Sequence, residues 1–470
     1  MNLEKIRELA RKGKAEFINL KFVDLPGNWH HITLPVSQLG PKLFQRGVGM
    51  DGSSVSGFRK VKAGDMVCIP DPDTAFYDPF WERPTLSMIG DLVDVDAKEG
   101  FSRDPRYVAI KAERYLAKLG IAQESLWSPE FEFYLFDDVR YGESDGKSFY
   151  DVDSGEAAWN TGREECPNLG YKVKYKGGYH VGMPQDTATD LRSEMVRNLE
   201  GCGVGVKYHH HEVGGAGQQE IEVLFGTLTR MADRTMIVKH VVKNAARRHG
   251  KTATFMPKPL FNEPGSGMHV HQYFSRGEKS LFYDRGKEDH LSKLARYYIG
   301  GLLHHVRALA AFTNPSTNSY KRLILGFEAP VKVFYSVGNR AAAIRIPGYA
   351  TAPESLRLEY RPPDATANPY LAYAGMLMAG IDGIRKKLEP GPPKEGDVFS
   401  LPEKEFKRIP TLPLSLEEAL DELERDQEFL KAGDVFTEDL IQAWLSFKRR
   451  EAEEVRIRIH PHEYALYYDC

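Results

Sequence analysis

The chain has 470 residues, enough for roughly three domains of about 150 residues, although large single domains often undercut that prior. Its formal net charge of −3 gives no electrostatic reason to expect a nucleic-acid or membrane partner. The four cysteines, at positions 68, 166, 202 and 470, lack the paired spacing of a zinc site or a disulfide framework. A reducing, cytoplasmic location is the simplest interpretation.

The amino-terminal segment predicts a small β-rich domain. MNLEKIRELARKGKAEF is typical of a charged amphipathic helix and lacks the apolar core of a signal peptide. From residue 17 to about residue 95, short strands such as FINLKFVDL and DMVCIP alternate with glycines and prolines. A helical period begins near Arg106 and closes at Gly120, so we place a boundary at residue 105, between domains 1–105 and 106–470.

Four later segments carry acidic, imidazole and guanidinium groups in strand-like contexts. In SPEFEFYLF, a period of two places Glu130 and Glu132 on one strand face and Phe131 and Phe133 on the other. By itself this pattern favours an edge strand with a solvated acidic face. Only the other three segments argue for a functional site.

The second segment, HHHEVGGAGQQEIEVLF, places Glu212 before a glycine-rich turn and Glu220 on the strand that follows. Glu222 shares the strand face with Glu220, and a merely solvated position would account for it. The histidine triplet at 209–211 is by itself typical of a weak, adventitious metal site.

The third segment, PGSGMHVH, places His269 and His271 on one strand face, where one could bind a metal and the other a phosphate or a carboxylate. In the fourth, RLEYRPPD, Arg357, Glu359 and Arg361 alternate along one strand. The planar guanidinium group of arginine can bind a phosphate or a carboxylate through two parallel hydrogen bonds. The alternative is a set of surface ion pairs, each of which contributes only about 0–1 kcal/mol to stability. Arginines that flank an acidic strand position fit a site better than a set of surface pairs.

Together these segments predict two adjacent sites for divalent metal ions. Five carboxylates cannot share one pocket without cations, because each like-charge pair at about 4 Å costs on the order of 4 kcal/mol at an effective dielectric of roughly 20. The combination indicates phosphate chemistry assisted by hard metal ions. The predicted ligands are Glu130, Glu132, Glu212, Glu220, His269 and Glu359.

Two later helices are predicted to be structural. YLAYAGMLMAGI, from Tyr370, is shorter than the ~20 residues needed to span a bilayer and predicts a buried helix. Ser415 and Glu418 form a capping box, and we predict one helix from there to a stop at Gly433. Neither a Walker lysine loop nor a G-x-G-x-x-G fingerprint occurs, so nucleotide binding cannot rest on those motifs.

Along essentially its whole length the chain resembles a class I glutamine synthetase. Ten blocks carry the resemblance in order, and together they are far more specific than any one of them. They are DGSSVSGF, SPEFEF, HHHEV with GQQE, KTATFMPKPLF, GSGMHVH, NSYKR, GFEAP, NRAAAIRIP, LEYRPPD with NPY, and EFLKAGDVFT. The resemblance implies an α+β fold, with a small β-grasp domain followed by a large catalytic domain of the glutamine synthetase and guanido-kinase type. The catalytic domain would contain a curved antiparallel sheet flanked by helices.

The resemblance also implies the reaction, in which ATP drives ligation of ammonia to L-glutamate through γ-glutamyl phosphate and gives L-glutamine, ADP and phosphate. Two or more Mg²⁺ or Mn²⁺ ions would serve each site. One ion would be held by Glu132, Glu212 and Glu220. Another would be held by Glu130, His269 and Glu359. The matches for ATP and its phosphates are Phe225, His271, Arg340, Arg345 and Arg357.

The resemblance implies catalytic roles for three further residues. Asp51 would bind ammonium and take its proton, Glu328 would lie in a flap that shields the acyl phosphate from water, and Arg340 would stabilise the transferring phosphoryl group. The other matches for glutamate and ammonium are Ser54, Tyr179, Gly265, Arg322 and Arg361.

The family's assembly implies a homo-oligomer, a dodecamer of two stacked hexameric rings with each site between neighbouring subunits. Asp51 would come from one subunit and the metal carboxylates from the next. The terminal HPHEYALYYDC would be the tail that inserts into the opposite ring.

Several positions depart from the family pattern. Pro264 replaces an asparagine that contacts glutamate, and proline offers neither a side-chain amide nor a backbone donor. Phe399 replaces the tyrosine that is adenylylated in some members, so we predict no adenylylation there. The other departures are Phe58, Tyr273, Glu354 and the pair Ile324–Leu325 in the flap.

Two alternative functions stay open at this point. A ligase that joins glutamate to a polyamine or another amine would keep the metal and phosphate residues, and Pro264 allows it. The matches at Asp51, Ser54, Tyr179 and Glu328 favour ammonia instead. A noncatalytic homologue would not need all six metal ligands.

Overall fold

The computed structural model describes residues 2–470 apart from 59–63, 96–99, 161, 163, 165–167, 278, 288, 326–328 and 397. The predicted flap residue Glu328 and the side chain of Phe399 therefore lie outside the described part of the chain.

The amino-terminal domain is a six-stranded sheet. Its elements are α1 (Leu3–Lys12), β1 (Phe17–Val23), β2 (Trp29–Pro35), α2 (Pro41–Arg46), β3 (Val48–Asp51), β4 (Asp65–Pro70), β5 (Phe76–Tyr77) and β6 (Thr85–Asp94). The strand order is β2-β1-β6-β4-β3, with β5 also on β6, and β1 runs parallel to β6. Helix α1 buries Ile6 and Ala10 against Leu86 of β6. The predicted helix and the predicted small β-rich domain are both confirmed.

The catalytic domain contains a ten-stranded sheet and a separate hairpin. Its strands are β7 (Glu124–Phe136), β8 (Asp138–Ser144), β9 (Lys147–Asp153), β10 (Val206–His211), β11 (Gln218–Val223), β12 (Gly226–Thr227), β13 (Thr252–Thr254), β14 (Val270–Arg276), β15 (Lys279–Ser280), β16 (Lys332–Val337), β17 (Ala342–Ile346) and β18 (Leu358–Tyr360). The main path of the sheet is β10-β11-β7-β14-β18-β17-β16, while β8 and β9 pair with each other. All pairs along this path are antiparallel except β16 with β17.

Strand β7, which carries the SPEFEFYLF motif, lies inside the sheet. It pairs with β11 on one side and β14 on the other. The expectation of an edge strand from this motif alone is therefore wrong, because neighbouring strands bond both sides of its backbone.

Helices flank this sheet. They are α3 (Pro105–Lys118), α4 (Thr189–Gly201), α5 (Leu228–Arg248), α6 (Lys293–His304), α7 (Val306–Thr313), α8 (Ser319–Arg322), α9 (Pro369–Lys386), α10 (Glu403–Arg408), α11 (Leu416–Arg425), α12 (Glu428–Lys431), α13 (Glu438–Arg456) and α14 (Pro461–Tyr467). Helix α9, which contains the YLAYAGMLMAGI run, is buried from Pro369 to Gly383, as predicted. None of the described helices is long and apolar enough to cross a membrane.

The predicted Ser415 cap of α11 is present, with the Glu418 carboxylate accepting from Leu414 N at 2.6 Å instead of from Ser415 N, but the helix ends earlier than predicted. Ser415 Oγ accepts a hydrogen bond from Glu418 N at 3.2 Å. The helix stops at Arg425 because Asp426 leaves helical geometry at φ −128° and ψ 78°. The Asp426 carboxylate lies 2.7 Å from Nδ1 of His305, so a tertiary contact accompanies the break that we had placed at Gly433.

The two domains share one hydrophobic core and are tied at α9. The Asn368 side chain, which caps α9, donates to the carbonyls of Asp24 and Leu25 at 3.2 and 3.0 Å. Arg106, at the start of α3, contacts Asp71 of the first domain at 2.7 Å and Asp233 of α5 at 3.0 Å. The boundary at residue 105 stays a prediction.

Candidate active site

The register of three strands gathers acidic side chains on one face of the sheet. Glu220 of β11 is paired with His210 of β10 on one side and with Glu132 of β7 on the other. Two residues further along β11, Glu222 is paired with Glu130 of β7. Cross-strand partners project to the same face, whereas the phenylalanines that alternate with Glu130 and Glu132 are buried in the core, as predicted.

The next strands bring an imidazole and a guanidinium to the same region. His271 of β14 is paired with Ser128 of β7 and with Glu359 of β18. Arg345 of β17 is paired with Glu359 from the other side. His269 lies just before β14, and its carbonyl accepts from Glu130 N at 2.9 Å.

A cavity of about 630 Å³ opens over this face. It brings together all six predicted metal ligands and six of the predicted substrate and phosphate residues. The latter are Tyr179, Gly265, Arg322, Arg340, Arg345 and Arg361.

Glu130, His269 and Glu359 form one group that could hold a metal, since one ligand atom from each lies within 4.8 Å of the others. His269 Nδ1 is 3.0 Å from one Glu130 oxygen, and His271 Nε2 is 2.8 Å from the other. Burial works against ionisation of Glu130, but these imidazoles outweigh it and hold the pKa of Glu130 well below its usual range. Burial likewise opposes ionisation of Glu359, yet the adjacent Arg361 guanidinium lowers its pKa to about 2.

Glu212, Glu220 and His210 form a second such group. His210 Nδ1 is 3.5 Å from Glu212, and His210 Nε2 is 3.4 Å from Glu220. Burial, followed by repulsion from Glu220 and Glu132, raises the pKa of Glu212 to about 9. Burial and four neighbouring carboxylates, Glu130 first, raise the pKa of Glu220 well above its usual range.

These two groups fit divalent cations. Carboxylate oxygens with one imidazole per group suit Mg²⁺ or Mn²⁺. The raised pKa values of Glu212 and Glu220 indicate that the neighbouring side chains do not offset the negative charge of this face. Glu212 Oε2 is buried and has no hydrogen-bond partner among the described residues, as expected of a ligand atom.

Glu132 occupies a position between the two groups. One of its oxygens accepts from Gly267 N at 2.7 Å, and the other lies 3.6 Å from His269 Nδ1. In this arrangement His210 completes the group of Glu212 and Glu220, and the assignment of Glu132 to that metal stays a prediction.

Two sequence interpretations in this region are corrected. Glu222 is not a solvated residue: it is 1% exposed, pairs with Lys207 Nζ at 2.7 Å and lies within ligand distance of Glu130 and His271. The histidine triplet is not an independent metal site either, because His210 joins Glu212 and Glu220 while His211 is buried against Glu156.

The arginines of the site are not surface ion pairs. Arg345 Nη1 contacts Glu359 at 2.6 Å, and Arg361 binds the other oxygen of the same carboxylate. Arg322 is buried, donates to Pro362 O at 2.7 Å and lies 3.4 Å from His269 Nε2. All three guanidinium groups are therefore held in place around the cavity.

A smaller aromatic cluster adjoins the cavity. The Phe225 ring meets the Tyr273 ring edge-on at 5.1 Å, and the Arg357 guanidinium lies 5.9 Å from Phe225. Arg357 also donates to the hydroxyl of Tyr349, a residue that lines the main cavity. The predicted ATP contacts Phe225, His271 and Arg357 thus lie beside the cavity and do not line it.

Asp51 and Ser54 lie apart from the cavity, at the end of β3 in the amino-terminal sheet. Asp51 is exposed and accepts from Ser53 N at 2.9 Å and from Ser54 Oγ at 3.0 Å. Hydrogen bonds from Ser53, then Ser54, lower the pKa of Asp51, so its carboxylate is an anion at neutral pH. Within one chain, Asp51 therefore does not line the cavity that contains the six predicted metal ligands.

Three residues that are small or that depart from the family pattern have defined contacts. The Pro264 carbonyl accepts from Tyr134 OH at 2.8 Å. A Cβ on Gly265 would lie 2.5 Å from Pro257 O, so only glycine fits there. Phe58, another departure, packs edge-on against Phe101 at 5.3 Å.

Sequence reasoning missed several residues that line the cavity. His210, in the histidine triplet, and Gln218, in the GQQE block, had a local signal. The others reach the cavity from loops and strands without a recognisable motif. They are Lys176, His180, Lys207, Tyr208 and Tyr349.

Comparison with known proteins covers both domains. A model of the glutamine synthetase β-grasp domain matches residues 14–95, and one of the glutamine synthetase catalytic domain matches residues 102–467. A curated glutamine synthetase from Frankia alni is 51% identical over 468 residues, which is 99% of each chain. A solved Plasmodium falciparum glutamine synthetase superposes with a TM-score of 0.92 at 28% identity, covering 100% of this chain and 99% of the other. A complex of GmaS with ADP superposes with a TM-score of 0.82 at 28% identity, covering 99% of each chain.

Proposed function

Because the chain belongs to the glutamine synthetase family, in its class I branch, we propose that the acidic cavity is where it ligates ammonia to glutamate. The enzyme is a glutamate–ammonia ligase that serves nitrogen assimilation and uses ATP and a divalent metal. The main observation that supports this location is that two metal-ligand groups and four guanidinium groups share one cavity.

Two groups of side chains would hold Mg²⁺ or Mn²⁺, with two or more ions per site. Glu130, His269 and Glu359 form one group. Glu212 and Glu220 form the other, with Glu132 or His210. Bound there, the ions would offset the negative charge of the carboxylates and of the ATP phosphates.

Guanidinium groups would serve the phosphoryl group and glutamate. Arg340 and Arg345 line the cavity, where they can stabilise negative charge on the γ-phosphoryl group as it moves to the glutamate side chain. Arg322 and Arg361 are held by protein contacts and can grip the carboxylate of glutamate. Arg357 and the Phe225 ring would contact ATP.

Binding of ammonium would use the carboxylate of Asp51, which does not line the cavity of its own chain. Asp51 of a neighbouring subunit would bind ammonium and accept one proton, after which ammonia attacks the acyl phosphate and phosphate leaves. Ser54 and Tyr179 would line this end of the site, and Glu328 would shield the intermediate from water. We therefore propose assembly into a dodecamer of two hexameric rings. We also place the enzyme in the cytoplasm, since Cys68 and Cys202 are buried free thiols.

The experiment is an assay of phosphate release with Mg-ATP and glutamate, comparing ammonia, hydroxylamine and a panel of amines, with amide products identified by mass. We expect ammonia-dependent glutamine formation, which a Glu130→Gln variant loses. A preference for a polyamine would overturn ammonia as the substrate while leaving the phosphoryl assignments in place. Turnover that survives Glu130→Gln unchanged would exclude the cavity as the active site.

A further inference from the structure

A second cavity lies at the junction of the two domains, and we call it the junction cavity. It measures about 640 Å³ and lies between the β1–β2 loop at 26–28, helix α5 and loops at 316–318 and 365–366. None of its described lining residues also lines the acidic cavity. It is therefore separate from the proposed active site.

The charge lining the junction cavity is positive. Lys239 and Lys243 lie one turn apart on α5, so both side chains share one face and repel each other. Within the described ranges, no aspartate or glutamate lines this cavity, and no carboxylate forms an ion pair with either lysine. Lys239 Nζ donates to Ala367 O at 3.3 Å, and Lys243 Nζ lies 6.0 Å from the Phe255 ring.

One buried acid acts on this pair from a distance. Asp364 favours the charged form of Lys239 without forming an ion pair with it, and its carboxylate accepts from Asn314 Nδ2 and from Thr366 N, each at 3.0 Å. Burial, then repulsion from Lys243, lowers the pKa of Lys239 to about 7. Burial also lowers the pKa of Lys243.

The cavity wall also contains a hydrogen-bond donor without a partner. Trp29 Nε1 is buried and has no acceptor among the described residues. Lysine stems often cover apolar surface while the ammonium group reaches water, which would explain the exposed Lys243. It does not explain the partly buried Lys239, which lines the same cavity as the unpartnered indole N–H and has no ion-paired carboxylate among the described residues.

We propose that the junction cavity binds a small anion with two negative charges, either a phosphate or a short dicarboxylate, between Lys239 and Lys243. The anion neutralises both ammonium groups and offers an acceptor to the Trp29 indole. Because Trp29 begins β2 and the lysines belong to α5, a bound anion links the amino-terminal domain to the catalytic domain.

The first test compares thermal unfolding of three proteins: the wild type, the double variant Lys239→Met with Lys243→Met, and the control Lys118→Met. Lys118 is an exposed lysine at the end of α3, so its loss changes surface charge without touching the cavity. Inorganic phosphate and succinate are added separately, and sodium chloride at the same ionic strength serves as the reference.

We expect phosphate or succinate to raise Tm by a few degrees in the wild type and the control, and by much less in the double variant. Binding of phosphate in the acidic cavity is common to all three proteins and cancels in the comparison. A stronger effect of one anion identifies its class. Equal shifts in all three proteins, or an equal shift with chloride, would overturn the proposal.

A second test uses the wild-type chain and does not depend on the folding of a variant. An amine-reactive label is applied with and without each anion, and modification of each lysine is followed by peptide mass. We expect several-fold slower labelling of Lys239 and Lys243 when the anion is bound, with Lys118 unchanged. Labelling rates that the anions leave unaltered would contradict the proposal.

Discussion

At the scale of single residues, Glu359 connects the metal face to the guanidinium groups. Both of its oxygens are bound by arginines, and its side chain is 1% exposed. Its pKa in the folded chain is about 2, against an ordinary value of 4.5. Its stabilising contribution is therefore fully present above pH 4.5 and is lost as the pH falls towards 2.

We predict that Glu359→Gln lowers kcat/KM by at least about 100-fold and destabilises the fold by about 3 kcal/mol, because it leaves the buried Arg361 and the partly buried Arg345 without their counter-charge. The change should also make the free energy of unfolding less dependent on pH between about pH 4.5 and 2. Steady-state kinetics and urea unfolding across the acidic range measure both effects. Glu354→Gln makes the same substitution at an exposed position and should change neither; near-normal activity of Glu359→Gln would contradict its role.

Glu212 shows the opposite shift. Without metal its pKa is about 9, so between pH 4.5 and 9 the unfolded chain ionises this group while the folded chain keeps the proton. Stability of the metal-free protein should fall as the pH rises through this window. A bound cation stabilises the ionised form and releases the proton.

We therefore predict that Mn²⁺ raises Tm more at about pH 8 than at about pH 6, with proton release on binding. Differential scanning calorimetry with Mn²⁺ or with EDTA measures the first effect, and a pH-stat measures the second. Glu212→Gln should weaken both. A metal effect independent of pH would show that Glu212 does not ionise on binding.

At the scale of secondary structure elements, local sequence pattern predicted which face of a strand is apolar and where a helix begins. Tertiary context decided where the strand lies in the sheet and where the helix ends. The period-two pattern of SPEFEFYLF correctly predicted which face of β7 is apolar, because alternation is a property of the strand itself. It could not predict that β7 lies inside the sheet, since its partners come from distant β11 and β14. Helix α11 likewise starts at its predicted cap, but its end coincides with a contact to His305 far along the chain.

His305 joins three elements and should make their packing depend on pH. It lies at the α6–α7 junction, 2.9 Å from Asp382 of α9 and 2.7 Å from Asp426 after α11. Burial lowers its pKa, but bonds to Asp382 and Asp426 prevail and raise it above 6.5. Its contribution is thus fully present below pH 6.5 and is lost as the pH rises through the folded-state value.

We predict that His305→Gln destabilises the protein most below about pH 6.5 and that the difference from wild type shrinks at higher pH. Chemical unfolding over this range measures it. The neighbouring His304 is exposed, so His304→Gln is the matched control and should leave the curve unchanged. A constant difference at every pH would mean that the proton on His305 does not matter.

At the scale of the whole molecule, two parts of the proposed site lie apart within one chain. Asp51 lies on the amino-terminal sheet and does not line the cavity that holds the metal ligands. In a cyclic assembly with head-to-tail interfaces, the same two surfaces meet at every subunit contact. A shared site would combine Asp51 of one subunit with the cavity of the next.

We predict that Asp51→Ala and Glu359→Gln chains are each inactive alone and regain activity when they assemble together. Random mixing should leave about a quarter of the interfaces with both residues intact. Activity after co-refolding or co-expression measures this, and each variant refolded alone is the control. Mixed rings that stay inactive would contradict a shared site.

The sequence by itself determined what depends on short-range pattern and on residue chemistry. The acidic, imidazole and guanidinium residues, the apolar face of β7, the cap of α11 and the buried helix α9 were all predictable, because each follows from strand or helix period or from ligand chemistry. The ordered blocks also identified the family. Only the tertiary structure decided how these residues meet. Strand register placed His210 beside Glu220 and Glu222 next to Glu130, because cross-strand pairing joins residues that no local pattern relates. Asp51 lies outside the cavity because β3 belongs to the separate amino-terminal sheet.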